Sequence, residues 1–111
     1  MEALSEHMGR QFEDRMVKHL RATFPEQTLP FDDNGLRNLI VGGIKRAEGY
    51  GIVFEDDIQR YLEYMMVLSQ DFDTNPHTSW AGDILRGGDT DGAQKMTRID
   101  NAYPFFRKRE P

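Results

Sequence analysis

Between Glu55 and Leu68 the chain sets Ile58, Tyr61, Leu62, Met65 and Leu68 at helical spacing, and Tyr64, Met66 and Val67 widen that stripe until the helix is apolar on almost every side. A helix of this kind cannot lie on a surface with one face in water; it has to be enclosed by other elements. The pattern therefore predicts a central helix with neighbours packed around it. Glu55, Asp56 and Asp57 crowd its first turn, where carboxylates meet the unpaired N–H groups and the positive end of the helix dipole.

The rest of the chain supplies the neighbours. Met8, Phe12, Met16, Leu20 and Phe24 recur every four residues with Val17 beside them, so they line one stripe of a first helix from about Ala3 to Phe24, ended by Pro25. After the loop Pro25 to Phe31, Asp32 or Asp33 can cap a second helix whose apolar face is Leu36, Leu39, Ile40, Ile44 and Ala47. Gly42-Gly43 in its middle costs about 1 kcal/mol per glycine relative to alanine and signals close backbone packing or a kink. Gly49 and Gly51, either side of Tyr50, mark its end as a left-handed cap. Beyond the central helix, Asp71 to Pro76 reads as a turn, and Thr78 or Ser79 can cap a short fourth helix with Trp80, Ala81, Ile84 and Leu85, closed by Arg86-Gly87-Gly88. Asp89-Thr90-Asp91-Gly92 reads as a flexible loop and Ala93 to Tyr103 as a fifth helix. No alternating strand pattern appears. The expectation is all-α: one compact single-domain bundle of about five helices over residues 1–111, with Trp80 as a core anchor and a basic tail from about Pro104.

With 111 residues, 38% of them hydrophobic and 11% aromatic, the chain has enough apolar material for one core. It has no cysteine, which leaves out a disulfide framework, thiolate metal sites and a cysteine nucleophile. The amino-terminal residues lack the basic start and apolar run of a secretory signal, and no apolar segment approaches the roughly 20 residues needed to cross a bilayer. The protein is accordingly expected in the cytoplasm, with no membrane partner. The net charge of -5 is uneven: residues 71 to 91 hold Asp71, Asp73, Asp83, Asp89 and Asp91 against Arg86, whereas residues 93 to 111 hold Lys95, Arg98, Arg107, Lys108 and Arg109 against Asp100 and Glu110. An acidic surface repels phosphate backbones and favours basic partners, which argues against nucleic acid as a ligand. A solvated surface kept soluble by its charge is the plainer reading of the same pattern.

Chemical motifs are incomplete. Asp71-x-Asp73-x-Asn75 has the opening spacing of a calcium loop, but Pro76 stands where that loop needs glycine and Gly82 where it needs a bidentate glutamate. His7, His19 and His77 have no partner at the spacing of a zinc site, and Ser5, Ser69 and Ser79 sit in no nucleophile elbow. No glycine-rich phosphate loop precedes a helix. Glu55, Asp56 and Asp57 could supply an acid and a base, yet capping explains them without a substrate. Tyr61, Tyr64, Phe72 and Trp80 could line a ligand pocket, yet at these spacings they read as core. The chain is expected to be no enzyme and to hold no cofactor or metal.

Ile44 to Ile52, Glu55 to Tyr61, Asp71-Phe72-Asp73 and Trp80 to Leu85 together resemble a family of small helical proteins encoded beside bacterial type VI secretion effectors and other polymorphic toxins. The resemblance covers residues 36 to 86, extends loosely to the first helix through Gln11 to Arg15 and Phe24-Pro25, and stops after Leu85. It consists of packing and capping residues and contains no active site. It implies a partner protein for a secreted toxin: an immunity protein that binds the toxin, one to one, and occludes it, or alternatively an adaptor or chaperone that loads the effector. Joined to the charge map, it places the partner-binding face on Glu55, Asp56, Asp57, Arg60, Asp71, Asp73 and Asp83. Because neither ligand set is complete, adding calcium or zinc, or chelating both, is expected to leave the melting temperature unchanged; a shift of several degrees on chelation would restore the metal reading.

Overall fold

The computed structural model of the protein describes residues 6–103, with side chains from residue 9 onward, so the contribution of Met8 and the basic tail from Pro104 lie outside the described residues. Among them the chain forms six α-helices and one 3-10 turn, with no strand: α1 Glu6–Thr23, α2 Pro25–Thr28, α3 Asp33–Gly49, α4 Glu55–Val67, the 3-10 turn Pro76–Thr78, α5 Ser79–Leu85 and α6 Gly92–Ala102. The all-α bundle expected from periodicity is the fold. The element that periodicity missed is α2, a single helical turn opened by Pro25 at its first position, where proline's missing N–H is no loss.

The central helix is α4. Ile58, Tyr61, Leu62, Tyr64, Met65 and Met66 are all buried, and α3, α6 and α1 pack against it. From α1 come Phe12, Met16 and Leu20, with Phe24 directly after it completing the described part of the stripe read from the sequence; from α3 come Leu36, Ile40, Ile44 and Ala47; from α6 come Met96 and Ile99. The α3–α4 crossing depends on Gly43, where a Cβ would stand 2.6 Å from both Leu62 Cδ2 and Met65 Sδ; its neighbour Gly42 faces open space. Close packing, not a kink, is what the glycine pair provides. After α3 the chain reverses through Gly51, the one residue with positive φ among those described (84°), as a left-handed glycine permits. Gly92 at the start of α6 then seats directly on that reversal, with the position of a Cβ only 2.3 Å from Gly51 O.

Several local expectations change. Asp32 caps α3, accepting from Gly35 N at 2.7 Å. Glu55, Asp56 and Asp57 fill the first turn of α4 as expected, at the positive end of its dipole, but the N-cap itself is Phe54, which makes no side-chain cap bond. Neither Thr78 nor Ser79 caps α5 through its side chain; Thr78 Oγ1 donates instead to Phe72 O at 2.7 Å. The segment read as a flexible loop ends in a reciprocal capping box, with Asp91 Oδ1 accepting from Gln94 N at 2.8 Å and Gln94 Oε1 from Asp91 N at 3.0 Å.

The largest correction concerns Trp80. It is half-buried and stacks on Tyr103, ring centroids 6.0 Å apart at 21°, at the edge of the bundle. The aromatic centre is Tyr61, Phe72 and Tyr64, with Phe72 lying 4.9 Å from Tyr61 and 6.2 Å from Tyr64 between ring centroids. Phe72→Ala is therefore expected to cost about 3–5 kcal/mol in urea unfolding, and Trp80→Ala less than half of that. Equal costs would return Trp80 to the core.

Candidate functional site

The seven residues assigned to a partner-binding face do not form one face. Glu55 leans toward α1 and accepts from Arg15 Nη2 at 2.9 Å. Asp56, one position on, is exposed. Asp57 is buried against Arg60, whose Nη2 donates to Asp57 Oδ1 at 2.7 Å and whose Nη1 donates to Asp100 on α6. Asp73 is turned inward, 2% exposed, and accepts from Tyr50 Oη at 2.8 Å at the end of α3. Asp71 and Asp83 are exposed. Three different helices thus engage Glu55, Asp57 and Asp73, and Arg60 is committed to holding α4 on α6.

The reason is local. A helix enclosed on almost every side carries polar side chains into its interfaces whether or not the partner elements are near in sequence, and each such group must be paired to offset its desolvation. Arg60, Asp57, Asp100 and Tyr64 make one such network, with Tyr64 Oη donating to Asp100 Oδ1 at 2.7 Å. Glu63, on the same helix and buried, accepts from His19 Nε2 on α1 at 2.5 Å. Tyr50, Asp73 and Arg46 make a third cluster, in which Arg46 Nε lies 3.8 Å from Asp73 Oδ2 and Arg46 Nη2 donates to Gln70 O at 2.5 Å. Lys95 Nζ ties α6 to the α3–α4 reversal by donating to Tyr50 O at 2.7 Å. The pairings of Tyr64 with Asp100, His19 with Glu63 and Lys95 with Tyr50 O span 36 to 45 residues, so no local spacing announces them.

The chemistry open to these clusters is limited. Asp71 and Asp73, which begin the calcium-like spacing, point apart: Asp71 Oδ1 accepts from Ser69 Oγ at 2.9 Å and from Asn75 Nδ2 at 3.3 Å, while Asp73 faces Tyr50. Among the described residues no three His, Cys, Asp or Glu side chains come together as a metal-binding group. His19 with Glu63 has the form of a base held by a carboxylate, but no serine or threonine hydroxyl bonds to His19 among the described residues. Several carboxylates are exposed at the surface. The Ser69 hydroxyl and then the Asn75 amide hold the Asp71 carboxyl below its ordinary range, fixing an exposed negative charge on the turn after α4. Asp83 on α5 is exposed, with Arg86 3.6 Å away, and Asp89 and Asp91 follow it into solvent.

The tyrosines give the interior a pH signature. Burial raises all three of Tyr50, Tyr61 and Tyr64 above their ordinary value of 10.0; the Asp73 charge adds to this for Tyr61, and donation to Asp73 and Asp100 adds to it for Tyr50 and Tyr64. The folded protein keeps these protons at a pH where unfolded tyrosines, with pKa about 10, have lost them. Their contribution is complete below pH ~10 and is lost as the pH rises above it. Melting temperature should fall steeply between pH ~10 and ~12 and fall less steeply in Tyr64→Phe; identical slopes in the two proteins would contradict this origin.

No helix among the described residues is long and apolar enough to cross a membrane. In comparison with known proteins the chain matches no family model, no curated protein and no solved structure.

Proposed function

We propose that this protein is an immunity protein that binds one cognate secreted antibacterial toxin and blocks it by occlusion. The observation that carries the reading is the exposed, single-signed run of Asp71, Asp83, Asp89 and Asp91 along the turn, α5 and the approach to α6, opposed within that stretch by Arg86 alone. Asp71 is fixed by its own turn, so part of this charge is presented in a set position and not on a mobile arm. A toxin that acts on phosphate-bearing substrates needs a positive cleft, and an acidic plug is complementary to such a cleft and speeds encounter with it. The sequence resemblance to proteins encoded beside secreted toxins supplies the partner class. Of the seven residues, Asp56, Asp71 and Asp83 are exposed and open to a partner, whereas Asp57, Asp73 and Arg60 are paired within the fold.

Effector loading is the second reading, and the exposure of Leu29 (80%) and Phe54 (39%) is the observation in its favour, since an adaptor grips its cargo through apolar surface. Inhibition separates the two: an immunity protein abolishes the toxin's activity in a purified mixture, whereas an adaptor binds without inhibiting.

The test uses the product of the neighbouring gene. A one-to-one complex should form, and its association rate should fall as salt rises, because exposed charges are screened over about 8 to 10 Å at physiological ionic strength. Charge reversal at Asp56, Asp71 and Asp83 together should weaken binding and toxicity rescue while the helical spectrum stays unchanged. Full protection by that triple variant would reduce the acidic residues to a solvated surface.

A further inference from the structure

Among the described residues three buried side-chain oxygens have no hydrogen-bond partner: Tyr61 Oη, Asp73 Oδ1 and Thr90 Oγ1. The first two belong to one cluster, where the end of α3, the middle of α4 and the turn after α4 meet. Tyr61 is 0% and Asp73 2% exposed, so bulk water reaches neither. Their neighbours are already engaged. Asp73 Oδ2 accepts from Tyr50 Oη at 2.8 Å, and Asp73 O accepts from Arg86 Nη1 at 3.1 Å. Arg46 Nε stands 3.8 Å from the same Oδ2, too far to donate, and Arg46 Nη2 donates to Gln70 O. α5 approaches Asp73 through Gly82, which has no side chain to offer and lies so close that a Cβ would stand 2.5 Å from Asp73 O.

The two oxygens sense each other without touching. Burial raises the Tyr61 phenol above its ordinary value, the Asp73 charge adds to the rise and the Arg46 charge opposes it. Both charges therefore lie close to Tyr61, whose ring centroid is 6.4 Å from that of Tyr50 and 4.9 Å from that of Phe72, the residue before Asp73. Yet Tyr61 Oη and Asp73 Oδ1 make no direct hydrogen bond. Leaving a buried polar atom unpaired costs more than a made hydrogen bond returns, and a carboxylate oxygen costs most. Protein interiors satisfy such groups with ordered water, which bridges atoms that cannot reach one another. The flanking charges select the ligand. A cation would face the Arg46 guanidinium and an anion the Asp73 carboxylate, so the species that suits both oxygens is small, neutral and able to donate and accept. We infer that Tyr61 Oη and Asp73 Oδ1 form an internal binding site for one water molecule, which links α4 to the turn that carries Asp71 and Asp73. The water accepts from the Tyr61 hydroxyl and donates to Asp73 Oδ1, which satisfies both oxygens. The site needs no partner protein.

A crystal structure of the full chain, at a resolution that shows ordered water, tests the site directly. One water should lie about 2.7–3.2 Å from both Tyr61 Oη and Asp73 Oδ1. A direct bond from Tyr61 Oη to Asp73 or to Arg46 would overturn the site, and so would the lack of any density between the two oxygens. In solution, urea unfolding of Tyr61→Phe, Asp73→Asn and the double variant measures whether the oxygens act as a pair. The unfolding equilibrium constant of the double variant should depart from the product of the single effects by about threefold or more; a smaller departure would show two independent groups and overturn the bridge. The wild-type structure decides the matter even if Asp73→Asn does not fold.

Discussion

Everything in this fold follows from having to enclose α4. Its apolar side chains need neighbours on nearly every side, and its polar ones, Asp57, Arg60, Glu63 and Tyr64, are carried into those same interfaces. A buried polar group left alone costs about 1–3 kcal/mol, more when charged, so the surrounding helices are placed to meet them. Asp100 brings α6 to Arg60 and Tyr64, and His19 brings α1 to Glu63. Gly43 lets α3 approach closely enough for Leu62 and Met65 to fill the space its side chain would have taken. The enclosing helices are thus positioned by pairing as well as by apolar contact.

That arrangement decides which charges are left for anything else. Carboxylates that look equivalent along the chain divide sharply once α4 is enclosed. Asp57 and Asp73 are interior and structural, Glu55 is shared with Arg15, and Asp56, Asp71 and Asp83 face solvent. Substitutions in the interior group act on stability. The exposed aspartates lie along the turn after α4 and on α5.

The legible parts of the sequence were those set by local period. Phe12, Met16, Leu20 and Phe24 announce a buried stripe because their spacing alone puts them on one side of a helix, and the breadth of the apolar face on Glu55 to Leu68 announces its central position. The capping box of Asp91 and Gln94 was equally local and could have been read from its spacing, yet the glycine and aspartate density around it suggested a loop. Other features had no local trace. Trp80 has the composition of a core anchor, and only the position of Tyr103, 23 residues later, shows that it closes the edge of the bundle instead. Asp57 differs from Asp56 by one position on a helix, and Asp100 and Arg60 decide which of them turns inward. The contact of Gly92 with Gly51 depends on how α6 returns to the α3–α4 reversal, which no pattern within either segment encodes.

Amide hydrogen exchange tests the enclosure of α4 most directly. If the other helices are built around it, the amides of Tyr61 to Met65 can exchange only when the whole molecule unfolds, and their opening free energy should equal the global stability measured by denaturant. Exchange in α5 and at the ends of α6 should run faster, through local opening. Should the α4 amides exchange through a local opening well below the global value, while α1 or α3 carries the greatest protection, α4 would not be the element on which the structure depends.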